Sequence, residues 1–200
     1  IDAHRYCLAL ARALVAGGGT IVEGTRAHAV DEHADRAVVR TPTGEVHAEA
    51  VVLATLLPFV DIGGFFAKTR PSRAYGVACR LRGEAPAALT ITAGEPTRST
   101  RPWRDGDHPG LVVVGEGHLT GDHEDTVEHW GTLERWARET FDVESFRYRW
   151  SGQDYVTTDR VPYVGRSPRT TRTFVATGFQ KWGLTNGTAA ATILAEAVRD

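Results

Sequence analysis

The stretch that most constrains this chain lies near its end. Residues 173–177 (TFVAT) form a short β-rich run, 178–187 (GFQKWGLTNG) are punctuated by glycine, and 188–198 (TAAATILAEAV) are alanine-rich with helical character. A strand feeding a glycine loop that opens a helix leaves backbone N–H groups and the positive helix end where a negatively charged ligand can meet them. Gly178, Gly183 and Gly187 permit close backbone approach, Lys181 supplies a cation and Trp182 a flat apolar surface. The same residues serve equally well in an ordinary strand–helix connection, with Trp182 packed and Lys181 solvated.

The remainder divides by texture. Residues 2–16 place Cys7, Leu10, Ala11, Leu14 and Val15 at helical spacing, and Gly17-Gly18-Gly19 stops the run. Residues 20–22 read as a short buried strand, and 26–50 as alternating strands with a hairpin turn at Pro42-Thr43-Gly44-Glu45. The apolar run 50–55 (AVVLAT) has the composition of a parallel strand buried on both faces. From 61 to 118, short β-type runs separated by Gly and Pro predict a second, antiparallel sheet. Residues 125–141 predict a helix whose apolar stripe is Val127, Trp130, Leu133, Trp136, Ala137 and Phe141.

Composition narrows the function classes. A net charge of -2 and a pI near 6.5 lack the electrostatic footprint of a nucleic-acid binder. No apolar run reaches the roughly 20 residues of a membrane span, and no signal-peptide pattern opens the chain. Cys7 and Cys79 form no ligand or redox motif and read as core residues of a reduced, cytoplasmic protein. With no methionine and Ile1 as its first residue, the sequence is expected to be a piece of something longer.

Two other stretches invite a chemical reading. Gly115, Gly117 and Gly121 imitate a dinucleotide fingerprint between a strand and a helix, but Asp122, Glu124 and Asp125 put carboxylates where a pyrophosphate would sit. The expectation there is a plain strand-to-helix turn. His118, Asp122, His123, Glu124 and His129 match no metal-ligand spacing, so no metal is expected, and His118 alone keeps a place in a substrate pocket.

The pieces GGGTIVEGTRA, VVLATLLPF, PSRAYGVA, PTRSTRPW, VVGEGH, WSGQDYVTTDRVPYVGRSP and FVATGFQKWGLTNGTAA, in this order, resemble the FAD-dependent amino-acid and amine oxidoreductases of the D-amino-acid oxidase, glycine oxidase and sarcosine oxidase superfamily. The likeness covers essentially all 200 residues and is nearest to the branch that carries a C-terminal Rieske domain. It implies a mixed α/β fold: a partial FAD/NAD(P)-binding α/β domain (1–60 and 150–200) and an antiparallel β-sheet substrate domain with one helix (61–149) lying over the flavin. The N-terminal βαβ with its G-x-G-x-x-G would precede residue 1.

The resemblance also implies roles. FAD would be held non-covalently by Ala27, Thr55, Gly178, Gly183, Leu184, Thr185, Asn186 and Gly187, the last loop and helix start approaching the pyrimidine edge of the ring. Lys181 stands where glycine-oxidase-like members carry an arginine that anchors the substrate carboxylate, and Trp182 would wall the pocket. Tyr75, Arg98 and His118 are further substrate-pocket candidates. Asp159, Pro162 and Gly165 match the family's D-x-x-P-x-x-G element, with Arg160 where glycine is usual. The implied activity is oxidation of a C–N bond of an amine or amino acid by hydride transfer to flavin N5, with a Rieske iron–sulfur domain as partner in the full-length protein. A catalytically silent binding module and a hydroxy-acid oxidoreductase are the alternatives, and the 200 residues alone are expected to hold FAD poorly and to be inactive.

Overall fold

Residues 2–122 and 125–199 are described by a computed structural model. In chain order the elements are α1 (Ala3–Ala16), β1 (Ala29–Glu32), β2 (Ala37–Thr41), β3 (Gly44–Ala48), β4 (Val51–Leu53), α2 (Phe65–Lys68), β5 (Thr69–Leu81), β6 (Thr90–Ile91), β7 (Ser99–Asp105), β8 (His108–Leu119), α3 (Val127–Thr140), β9 (Val143–Thr157), β10 (Tyr163–Arg166), β11 (Thr173–Thr177) and α4 (Gly183–Ala197). They form two units. One takes the chain up to Thr69 and again from Thr157 onward; the other is Arg70–Val156.

In the first unit, α1 starts where the Asp2 carboxylate accepts the Arg5 N–H (3.0 Å). It stops where the N–H groups of Gly17, Gly18 and Gly19 fold back onto Ala13, Val15 and Leu14 carbonyls, with Gly18 left-handed at φ 88°. Its apolar stripe is uncovered among the described residues, so Cys7 is exposed and is not a core residue. Residues 20–22 form no strand: among the described residues no strand lies alongside to satisfy their backbone groups, and Val22 is 68% exposed. The meander β1-β2-β3 turns on Pro42-Thr43, with Thr41 opposite Gly44.

The sheet order β10-β11-β4 puts β11 in the centre, and all five of its residues are buried. β11 runs parallel to β4 and antiparallel to β10. β4 is shorter than the 50–55 run and covered on only one face, Val52 being 43% exposed. Against this sheet α4 buries Ala190 and Leu194 onto Phe174 and Ala176. Each large apolar side chain so buried contributes about 1.5–3 kcal/mol.

Glu32, the last residue of β1, fastens the meander to the chain entering β11. Its carboxylate accepts from the Thr171 N–H and hydroxyl, the Arg172 N–H (3.1 Å) and the Thr173 hydroxyl (2.6 Å). Partial burial pushes its pKa up, but these donors outweigh that and hold it below the ordinary value.

The second unit is a five-stranded sheet of order β6-β7-β8-β5-β9 with α3 on one face. The β6–β7, β7–β8 and β8–β5 pairs are antiparallel, as the sequence texture predicts. Strand alternation sends Tyr75, Val77, Cys79, Leu111 and Val113 to the face that meets Leu133 and Ala137 of α3. Burial pushes the Cys79 thiol pKa up, as expected of an inert core cysteine. Val127 lies outside the helix's buried stripe, at 68% exposure, because α3 begins there and Asp125 caps its N–H (2.8 Å). β9 runs unbroken across position 150, where the sequence reading sets a boundary.

The glycine run at 115–121 is not a turn. β8 pairs with β5 as far as Leu119, so Gly115 and Gly117 lie inside the strand and only Gly121, at φ 101°, turns the chain. Of the acidic and histidine residues that follow, His123 and Glu124 lie outside the described residues.

Candidate functional site

The parallel pair β4 and β11 ends at one place. There the Thr177 hydroxyl donates to the Leu56 carbonyl, joining the loop after β4 to the end of β11. Thr55 sits in that first loop, its hydroxyl donating to the Leu57 carbonyl (3.0 Å). The carboxyl ends of parallel strands are where α/β sheets take ligands.

From Thr177 the chain leaves through Gly178 at φ 77°. A side chain is excluded there twice over: the dihedral is left-handed, and an added Cβ would come within 2.4 Å of the Thr157 methyl. Phe179 then packs onto the core of the first unit, and the Trp182 N–H closes the turn onto its carbonyl (3.1 Å). Lys181 and Trp182 project outward, Trp182 at 63% exposure.

The helix begins earlier than residue 188. Asn186 N–H donates to the Trp182 carbonyl (2.9 Å), so Gly183, Leu184, Thr185 and Asn186 form the first turn of α4. The N–H groups of Gly183, Leu184 and Thr185 therefore lack an intrahelical acceptor. Among the described residues no side chain caps them, and no acid stands in the first turn. Leu184, Thr185 and Thr188 line an open groove of about 440 Å³ with Tyr6, whose hydroxyl meets that of Thr188 at 3.1 Å. Three N–H groups without an intrahelical acceptor, a positive helix end, an open Gly183 and a nearby lysine suit an electron-rich planar edge such as a flavin pyrimidine.

Of the residues singled out from sequence, Thr55, Gly178 and 181–187 thus come together in one unit. Ala27 is half-buried just ahead of β1 in the same unit. Tyr75, Arg98 and His118 belong to the other. Tyr75 is 1% exposed and fills the core beneath α3, so its ring is no pocket wall. Arg98 is engaged by Glu116 (2.8 Å) and stacks its guanidinium over Trp136.

His118 owes its orientation to a bulge. Tyr75 pairs with Gly115 but Arg73 pairs with His118, so Glu116 and Gly117 oppose the single residue Ala74. Glu116 is left-handed, at φ 52°. The extra residue turns His118 to the Tyr75 face, where its ring stacks on His129 at 4.6 Å. The Leu119 carbonyl can only accept, so Nδ1 donates to it (2.7 Å), and Nε2 lies in hydrogen-bond range of the Tyr75 hydroxyl (3.0 Å).

Sequence reasoning missed Thr157, Arg160, Thr177 and Gln180. The Thr157 hydroxyl is buried beside Gly178 without a hydrogen-bond partner among the described residues, and Gln180 donates to the Arg160 carbonyl (3.0 Å). The one signal available was the departure from glycine at Arg160. Among the described residues no group of three His, Cys, Asp or Glu side chains could hold a metal ion, and no helix is long and apolar enough to cross a membrane.

Comparison with known proteins bears on the fold and the family. The family model described as FAD dependent oxidoreductase matches residues 1–197. YhfW of Bacillus subtilis (strain 168), which carries the name of a Rieske 2Fe-2S iron-sulfur protein, is 32% identical over 196 residues, 97% of this chain and 38% of that protein. Among solved structures, glycine oxidase from Geobacillus kaustophilus superposes with a TM-score of 0.76 at 22% identity, over 96% of this chain and 52% of that one. Iminodiacetate oxidase (IdaA) from Chelativorans sp. BNC1 gives 0.75 at 17%, over 99% and 55%. The chain thus spans well under half of the curated relative and about half of these enzymes. With its fold and its family model in agreement over nearly every residue, the chain belongs to the FAD dependent oxidoreductase family.

Proposed function

We propose that this chain is part of an FAD-dependent enzyme that oxidises a C–N bond of an amino acid or amine. The observation that carries the reading is the uncapped, acid-free start of α4 beside Lys181 at the carboxyl ends of β4 and β11. FAD, when bound, supplies the two-electron acceptor for the hydride leaving the substrate's α-carbon. The N–H groups of Gly183, Leu184 and Thr185, with the helix dipole behind them, stabilise negative charge at the pyrimidine edge. Lys181 anchors a substrate carboxylate as a point charge, and Trp182 walls the approach. Residues 150–165 hold no cysteine, which supports non-covalent attachment.

The name of the Bacillus relative supports a Rieske iron–sulfur domain as partner in the full-length protein. Two free cysteines, one buried and one exposed, suit a reducing, cytoplasmic compartment.

Anaerobic titration of the full-length holoprotein with amino acids, amines and hydroxy acids tests the proposal. Amino acids are expected to bleach the flavin absorbance, and Lys181→Ala is expected to raise KM for a carboxylate-bearing substrate at least tenfold. Bleaching by hydroxy acids alone, or unchanged affinity in Lys181→Ala, overturns the corresponding part.

A further inference from the structure

Two non-glycine residues flanking the Lys181 turn occupy the left-handed region, Arg160 (φ 62°) and Gln180 (φ 56°), and they are bonded to each other: the Gln180 side-chain amide donates to the Arg160 carbonyl at 3.0 Å. Such conformations are disfavoured for long side chains and persist only where the surroundings over-determine them. Here they do. Arg160 N–H donates to the Thr157 carbonyl (3.2 Å), Val161 N–H to the Asp159 carboxylate (3.0 Å), and Trp182 N–H to the Phe179 carbonyl (3.1 Å). Loops 157–161 and 178–182 therefore meet twice, once where Gly178 lies against Thr157 and once where Gln180 holds Arg160. Lys181 and Trp182 are exposed, so this frame, and not packing of their own side chains, sets where they project.

We propose that Gln180 is a positioning residue, whose clasp on the Arg160 carbonyl holds the 178–182 turn in the geometry that aims Lys181 at the substrate carboxylate beside the flavin edge faced by the first N–H groups of α4. The inference rests on the reading of Lys181 as carboxylate anchor. The bond is to a backbone carbonyl, so a glycine at 160 would serve the clasp as well as arginine does. Gln180→Glu removes the donor without changing shape, and sets a carboxylate against a carbonyl.

The experiment uses the full-length holoprotein and two readouts. In hydrogen exchange, the hydrogen-bonded amides of Trp182 and Asn186 are expected to exchange at least tenfold faster in Gln180→Glu, whereas Arg160→Gly keeps them within twofold of wild type. In steady-state kinetics, Gln180→Glu is expected to raise KM about tenfold for an amino acid, with less than threefold change for the matching amine lacking the carboxylate. Unchanged exchange in Gln180→Glu overturns the clasp whatever the activity. Equal effects on both substrates reduce it to a purely structural contact and overturn the positioning role. Lys181→Ala separates the readings: if it leaves KM for the amino acid unchanged, the anchor fails, and if it raises KM while Gln180→Glu does not, the clasp fails alone.

Discussion

Replacing Glu32 should loosen the first unit more than its place at the surface end of a four-residue strand suggests. Its carboxylate receives two backbone N–H groups and two hydroxyls from Thr171, Arg172 and Thr173, and Thr173 is wholly buried. Hydrogen bonds to a charged acceptor are worth about 1.5–3 kcal/mol each when singly removed, and they are not additive. Water can reach the exposed Thr171 groups, which leaves Arg172 N–H and the Thr173 hydroxyl as the costly losses. Discounted for partial solvent screening, Glu32→Ala is expected to cost about 2–4 kcal/mol. For a protein part of this size that corresponds to a Tm lower by roughly 4–16 °C. The sign with pH follows from the depressed folded-state pKa. The contribution is fully present above the unfolded value of 4.5 and is lost as pH falls through the lower folded value. Urea unfolding of the intact protein, with exchange of the 171 and 172 amides as local probe, should show the wild-type advantage over Glu32→Gln at pH 7 narrowing below pH 4.5. A difference under about 0.5 kcal/mol at pH 7, or one that does not narrow on acidification, refutes the argument.

Other perturbations separate backbone from side-chain constraints. Gly178→Ala meets both a left-handed dihedral and the Thr157 methyl at 2.4 Å, so thermal stability should fall by about 2–4 kcal/mol and flavin retention with it, as melting and bound-FAD absorbance would show. Gly110→Ala should cost more than Gly76→Ala, roughly 3 against 1 kcal/mol by melting. The first meets the Cys79 carbonyl at 2.8 Å, which cannot move without its strand, and the second meets only the half-exposed ring of Trp150. Thiol titration of the native chain should find Cys7 reacting at once and Cys79 only after denaturation, since Cys79 is buried and its pKa is raised by that burial.

Much of the fold was legible because it rests on local rules. The first helix shows its stripe and its glycine stop, the Pro42-Thr43 turn shows its hairpin, and the apolar run around Val51–Leu53 shows its parallel pairing. The misreadings arose where a partner outside the window decides the outcome. The apolar stripe of α1 and the run 20–22 carry burial signals, yet nothing among the described residues covers them. The start of α4 was hidden because Gly183, Asn186 and Gly187 are poor helix formers, and their turn is held as the continuation of a helix that Ala190 and Leu194 pack onto the sheet.

Strain is the part of the site that sequence conceals most fully. A glycine announces a left-handed backbone, as Gly178 does, but Arg160, Gln180 and Glu116 reach the same region with side chains that prefer to avoid it. Each is held by a contact from a distant stretch: Gln180 on the Arg160 carbonyl, Arg98 on the Glu116 carboxylate. Each also lies within two residues of a side chain chosen from sequence for function, Lys181 in one unit and His118 in the other, or is bonded to the residue that does. The Glu116 bulge turns His118 to the Tyr75 face, which an unbroken period-2 strand would deny it. In both units, then, the residue types that suggest chemistry can be read from the chain, whereas their aim is set by neighbours that violate local preference.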